Sequence, residues 1–226
     1  MIKNIFIDLD GTLLPMDNDS FTKSYFSLLG DNIQGREKME LIQAVKTGTY
    51  SMFKNNAEVT CEEVFWKTYE SIFGEGSKAD IKYFDKFYEE KFDGLKAVCG
   101  FDEKAKNFVD TLKNKGYKLV LSSNPVFPLI AQQKRLIWAG VDPNKFDYIS
   151  SYENSCYCKP NLNFFKSLLD KLNLKAEETV LVGDNLKEDM VASSLGINCF
   201  LISEGSTEFS PSGNLDKALE YIESLK

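Results

Sequence analysis

The chain has 226 residues, 43% hydrophobic and 27% charged, with a net charge of -7 and no histidine. That is enough for one domain, or for one domain carrying an insertion, around a buried core. Without histidine, Ser-His-Asp and Cys-His hydrolases, His-ligated zinc enzymes and His-based phosphoryl carriers are excluded. The acidic balance, with Lys and Arg spread along the chain, argues against nucleic acid as the main partner.

No apolar run is long enough to span a membrane, and no signal peptide is legible at the N-terminus. The five cysteines, Cys61, Cys99, Cys156, Cys158 and Cys199, are odd in number and lack paired spacing. They point to reduced thiols and a cytoplasmic setting. Cys156 and Cys158 read as small apolar fillers near a strand end, since nothing completes a zinc site around them.

Ile5-Phe6-Ile7 reads as a short buried strand that stops at Asp8-Leu9-Asp10-Gly11-Thr12. Asp8 and Asp10, two apart, face the same way along an extended chain. Two like charges at a strand mouth call for a hard divalent cation or a cationic partner, although the same turn also occurs by chance and in unrelated calcium loops. Residues from about 17 to 95 then read as four amphipathic helices rich in aromatics. The first is capped by Ser20 and carries Phe21, Tyr25 and Phe26; Met39, Ile42 and Val45 mark the second. The third follows Thr60, and the fourth carries Ile81, Phe84, Phe87 and Phe92. The aromatic stripe reads as packing.

From Gly94 onward helices and strands alternate. Asp102 begins a helix that Gly116 ends, and Tyr117 to Leu121 is a strand. Leu129 to Trp138 is helical, Phe146 to Ser150 a strand, and Phe164 to Leu172 a helix. Thr179 to Val182 is a strand, Asp189 to Leu195 a helix, Cys199 to Ile202 a last strand and Leu215 to Leu225 a last helix. The alternation predicts a doubly wound parallel sheet of the α/β class, with ligands at the carboxyl ends of the strands. Those ends carry, in order, Asp8 and Asp10; Ser123 and Asn124; Lys159; and Asp184 with Asp189.

Asp8-Leu9-Asp10-Gly11-Thr12, Ser123-Asn124, Lys159-Pro160 and Gly183-Asp184 with Asp189 together resemble the four motifs of the haloacid dehalogenase superfamily. The resemblance implies a Rossmann-like core over residues 1–16 and 96–226, with an inserted helical cap of the C1 type over 17–95. It further implies a Mg²⁺-dependent phosphatase acting on a small phosphorylated metabolite. Asp8 would be the nucleophile and Asp10 the general acid and base. Ser123 would bond the transferring phosphoryl group, and Lys159 would set a positive charge beside Asp8. Asp8, the backbone carbonyl of Asp10 and Asp184 would hold the metal, and Asp189 would orient its shell. Backbone N–H groups around Leu9 and Gly11 and at Asn124 would cradle the phosphate. The aspartate at position 10 fits the phosphotransfer branches, because a halide leaving group needs no protonation. Thr47, Gly48, Thr49, Asn55 and Asn56 are candidate substrate contacts in the cap. A sugar phosphomutase of the same fold and a non-catalytic interaction protein on this scaffold are the competing readings.

Overall fold

In the computed structural model, which describes residues 1–203, 205 and 207–225, six short strands form one sheet. They are β1 (Asn4–Ile7), β2 (Lys118–Leu121), β3 (Tyr148–Ile149), β4 (Thr179–Gly183), β5 (Asn198–Ile202) and β6 (Ser212–Gly213). The order is β3-β2-β1-β4-β5-β6, and every neighbouring pair is parallel. The strands are near-continuous apolar runs because both faces of a parallel sheet are covered. On one face Phe6, Val120 and Leu181 pack with Phe164, Phe165 and Leu168. The alternate residues Ile5, Ile7, Leu119, Leu121, Val180 and Val182 enter the larger core on the other face.

β1 lies where the strand order reverses. Its last residue, Ile7, is level with Leu121 on one side and Val182 on the other. Two ladder bonds continue past the strand ends: Ser122 N donates to Ile7 O at 2.8 Å, and Asp8 N to Val182 O at 2.9 Å. This register brings Asp8, Ser122-Ser123 and Gly183-Asp184 to a single edge, where doubly wound folds place their ligands.

Between β1 and β2 lie α1 (Asn18–Asn32), α2 (Lys38–Lys54), α3 (Cys61–Phe73) and α4 (Ile81–Glu90), followed by α5 (Glu103–Asn114). Tight 3₁₀ segments at Glu75–Asp80 and Phe92–Val98 flank α4. Ser20 is not the cap of α1. Asp17 is, with its side chain accepting from Ser20 N at 2.8 Å, so Ser20 sits inside the first turn. Thr60 does cap α3, in a reciprocal box with Glu63. The aromatic residues bury one another and reach the rest of the chain: the Tyr25 and Phe127 rings are 5.3 Å apart, and Phe92 stacks on Trp138 at 5.2 Å. The two passages into and out of this helical segment run side by side, with Gly100 N donating to Pro15 O at 2.7 Å.

The remaining helices are α6 (Leu129–Trp138), α7 (Leu162–Leu172) and α8 (Leu215–Ser224). Three expectations change. The strand expected over 146–150 narrows to Tyr148–Ile149, because a 3₁₀ turn at Pro143–Lys145 claims the Phe146 N–H. The helix expected from Asp189 is a 3₁₀ segment, Met190–Leu195. Its Val and paired Ser residues have little helical preference, and Gly196, at φ +86°, stops it at once. The two-residue strand β6 was not foreseen; a two-residue pairing leaves no periodic signal.

Candidate active site

Asp8 follows β1 directly and is almost buried. Its Oδ1 accepts from Lys159 Nζ at 2.7 Å and its Oδ2 from the Thr12 hydroxyl at 3.3 Å. The same lysine reaches Asp189 Oδ1 at 2.5 Å. Lys159, Asp8 and Asp189 are 2%, 6% and 1% exposed, so one buried ammonium faces two buried carboxylates. Burial opposes the charge on Lys159, but the Asp189 and Asp8 charges outweigh it and hold the ammonium above its ordinary range. Asp189 Oδ2 accepts from Asn185 N at 3.1 Å, which fixes the turn after β4.

Asp184 completes the acidic group. Carboxylate oxygens of Asp8, Asp184 and Asp189 lie within 4.8 Å of one another. Burial, then the charges of Asp8 and Asp189, pushes the Asp184 carboxyl up to about 7. Three acids against one lysine leave an excess of negative charge among hard oxygen donors, a donor set suited to a divalent cation such as Mg²⁺. Two glycines make the crowding possible. A Cβ on Gly11 would stand 2.2 Å from Asp184 Oδ2, and one on Gly183 would stand 2.4 Å from Asp189 Oδ2.

Asp10 turns into the same cleft, and its Oδ2 accepts from Arg135 Nη1 at 2.5 Å. Its Oδ1 has no hydrogen-bond partner among the described residues. Burial raises the Asp10 carboxyl above its usual range, against the lowering effect of Arg135. Arg135 is fully buried on α6, hydrogen-bonded to Gln132 and set over the Phe127 ring at 4.7 Å. Asn124 joins three parts of the site: its Oδ1 accepts from Lys159 N at 3.0 Å, its Nδ2 donates to Glu188 at 3.0 Å, and its carbonyl accepts from Gln132.

Asp8, Asp10, Ser123, Asn124, Lys159, Asp184 and Asp189 all border one cavity of about 350 Å³. Leu9 and Gly11 do not. The Leu9 side chain is in the core and its carbonyl closes the turn, neither of which bears on the cradle expected from its backbone N–H, whereas the Gly11 N–H donates to Leu14 O at 2.9 Å and is not free for that cradle in this structure. Of the candidate contacts in the helical segment, Thr49 reaches the cavity and the other four do not. Thr47 bonds its hydroxyl to Gln43 O, Gly48 packs on Phe65, Asn55 ties the α2–α3 connection to Cys156 O at 2.7 Å, and Asn56 accepts from Asn161. The cavity instead takes Asn18, Phe21, Thr22, Tyr25 and Phe26 from α1, with Phe53 from α2.

Arg135, Gln132 and Thr12 were not among the expected site residues. The signal was present for the first two: in α6 the buried positions are Ala131, Gln132, Arg135, Leu136 and Trp138, so Gln132 and Arg135 occupy the core phase of an amphipathic helix. A polar pair in that phase has to meet a buried partner.

The four strand-end groups and the doubly wound sheet define a haloacid dehalogenase-like hydrolase. The model of that hydrolase family matches residues 2–194, and the chain belongs to the family. Among curated proteins, a glyceraldehyde 3-phosphate phosphatase of Methanothermobacter thermautotrophicus is 26% identical over 216 residues, covering 92% of this chain and 88% of the relative. The fold is shared with a HAD phosphatase from Thermococcus onnurineus, at 16% identity, a TM-score of 0.58 and 98% of each chain covered. It is shared too with a 2-haloacid dehalogenase from Pseudomonas syringae, at 15% identity, a TM-score of 0.63 and 100% of each chain covered.

Proposed function

We propose that this hydrolase is a Mg²⁺-dependent phosphatase of a small phosphorylated metabolite, working through an aspartyl-phosphate on Asp8. The observation that carries this reading is the pairing of two strand-end aspartates in different surroundings. Asp8 is held by Lys159 and Thr12 beside the acidic group, and Asp10 faces the same cavity with one oxygen unpartnered. Asp8, Asp184 and the Asp10 carbonyl would hold Mg²⁺, which supplies charge neutralisation for the phosphate dianion. Asp8 attacks phosphorus, and the phosphorus–oxygen bond to the alcohol breaks as Asp10 gives the alcohol its proton. Asp10 then takes a proton from water, which hydrolyses the acyl phosphate and returns Asp8. Ser123 and Lys159 bind the equatorial oxygens as charge spreads over them. Residues 17–95 act as a cap, with α1 and α2 forming the roof of the cavity. The phosphatase activity of the archaeal relative supports the same reaction class.

Hydrolysis of p-nitrophenyl phosphate tests the reading. Turnover should require Mg²⁺, stop in excess chelator, and fall at least roughly a thousandfold in a folded Asp8→Asn variant. Wild-type turnover by that variant, or by the enzyme in chelator, would overturn it.

A further inference from the structure

The part of the cavity beyond the acids differs sharply from its floor. That part is lined by aromatic residues, Phe21, Tyr25, Phe26 and Phe53 from α1 and α2 and Phe127 from the β2–α6 connection, and the uncharged polar side chains that α1 and α2 add are Asn18, Thr22 and Thr49. Among the described residues Lys159 is the one cationic side chain on the lining, and both of its carboxylate partners are already in place. Arg135 is not on the lining; its guanidinium is bound by Asp10 and Gln132. Lys46 places its ammonium over the Phe26 ring at 4.9 Å, also off the lining. Against these stand five bordering carboxylates: Asp8, Asp10, Asp184, Glu188 and Asp189.

One anionic group can be accommodated at the floor, where the lysine and a divalent cation meet it. A second would be desolvated against an apolar aromatic lining, with Glu188 nearby and, among the described residues, no further guanidinium or ammonium on the lining to receive it. A neutral alcohol meets no such penalty: its carbon skeleton contacts the rings, its hydroxyl or carbonyl groups can pair with Asn18 and Thr22, and a hydroxyl can donate to Thr49, whose own proton goes to Val45 O at 2.9 Å. At about 350 Å³ the space suits a compact leaving group.

We propose that the cavity selects phosphate monoesters whose leaving alcohol is uncharged, and that it rejects carboxylated esters and bisphosphates. This deepens the phosphatase reading and rests on it. It also disfavours a mutase, since a bisphosphate intermediate would need the second anion site that the lining lacks.

The test compares kcat/KM in saturating Mg²⁺ within two matched pairs, with p-nitrophenyl phosphate as common reference. Glyceraldehyde 3-phosphate and 3-phosphoglycerate share a three-carbon chain and differ in aldehyde against carboxylate. Fructose 6-phosphate and fructose 1,6-bisphosphate differ by the second phosphate. The expected result is at least a tenfold preference for the uncharged leaving group in both pairs. An Asn18→Lys variant, which sets an ammonium at an exposed position on the lining, should move the first ratio at least threefold toward 3-phosphoglycerate. Equal or reversed ratios in the wild type, or an unmoved ratio in the variant, would overturn the selectivity while leaving the phosphatase reading intact. Failure to release phosphate from any ester, the aryl phosphate included, would overturn both.

Discussion

Replacing Lys159 by Met removes the charge but keeps an unbranched side chain of similar reach. In the wild type the ammonium sits 2.7 Å from Asp8 and 2.5 Å from Asp189, all three groups being almost inaccessible to water. Breaking a buried ion pair by deleting one partner costs about 3–5 kcal/mol, because the surviving charge is left unpaired. Here two carboxylates survive, so the upper half of that range is the expectation. It compares with a total stability of about 5–15 kcal/mol for a typical domain. The variant should therefore fold in dilute buffer and unfold early, its urea midpoint lower by roughly 1–2 M at a slope near 3 kcal/mol per molar.

The pH of the measurement follows from the sign of the shift on Lys159. Its ammonium is held above the ordinary range in the folded protein, so its contribution is complete below the unfolded value of about 10.4 and is lost only as pH rises through the still higher folded value. Urea denaturation at pH 8, followed by tryptophan fluorescence, lies well inside that window. Repeating it in Mg²⁺ separates two causes. If the surviving carboxylates share the cation's site, Mg²⁺ should stabilise the variant more than the wild type, narrowing the gap by roughly 1 kcal/mol or more at concentrations far above Kd. A loss below about 1 kcal/mol would refute the buried-pair reasoning. Equal stabilisation of the two proteins by Mg²⁺ would refute the shared site.

Three further outcomes are expected. Gly11→Ala meets a φ of +81° and a Cβ position 2.2 Å from Asp184 Oδ2, so it should cost about 1–2 kcal/mol in backbone strain and raise the Mg²⁺ concentration needed for activity at least roughly tenfold; an unchanged Mg²⁺ titration would count against it. Asp10→Asn should slow hydrolysis of an alkyl phosphate by roughly 10²–10⁴ and that of p-nitrophenyl phosphate much less, since the aryl leaving group needs little protonation; equal losses would remove Asp10 as the acid. Burial raises Asp93 but hydrogen bonds from Lys134 at 2.6 Å and Trp138 at 2.8 Å outweigh it, so its carboxyl is held low in the fold. Its stabilisation is present above the unfolded value and fades as pH falls through the folded one. The stability gap between wild type and Asp93→Asn should thus be constant from about pH 7 to 5 and close below about pH 4, and a gap that widened on acidification would contradict the assignment.

The edge that carries the acidic group was legible because parallel sheets write their sites in a simple code. An apolar run specifies a buried strand, the residue after it is at the carboxyl end, and the central strands end level with one another. Asp8 and Asp184 follow from that code, which also brings Ser122-Ser123 to the same edge while the motif resemblance singles out Ser123, and Ile7 paired with both Leu121 and Val182 is its physical content. The roof was not legible in the same way. Helical periodicity shows that Phe21, Tyr25 and Phe26 belong to an amphipathic helix, but not which rings fill the insertion's own core and which border a cavity. Tyr25 does both, pairing its hydroxyl with Tyr88 at 2.8 Å while bordering the cavity. The polar residues Thr47, Asn55 and Asn56 looked available for substrate because polarity in a loop or on a helix is ambiguous between a ligand contact and a backbone bond. The structure resolves each of them to backbone or side-chain partners within the chain.

The position of Arg135 follows from helix phase and charge. A helix through 129–138 places Gln132 and Arg135 one turn apart on the face that must enter the core. A guanidinium cannot be deprotonated there, so a carboxylate has to meet it. Few carboxylates can be buried at a helix that follows β2, and those at the end of β1 are the nearest by topology. Asp8 is the partner of Lys159, which leaves Asp10. The ion pair between Arg135 and Asp10 is therefore a consequence of helix phase, sheet order and charge, and the same reasoning separates the two strand-end aspartates. Asp8 is held by the lysine of the acidic group, whereas Asp10, which borders the same cavity, is held by Arg135 of α6 with its other oxygen buried and unpartnered among the described residues. That difference in partners underlies the different roles proposed for them.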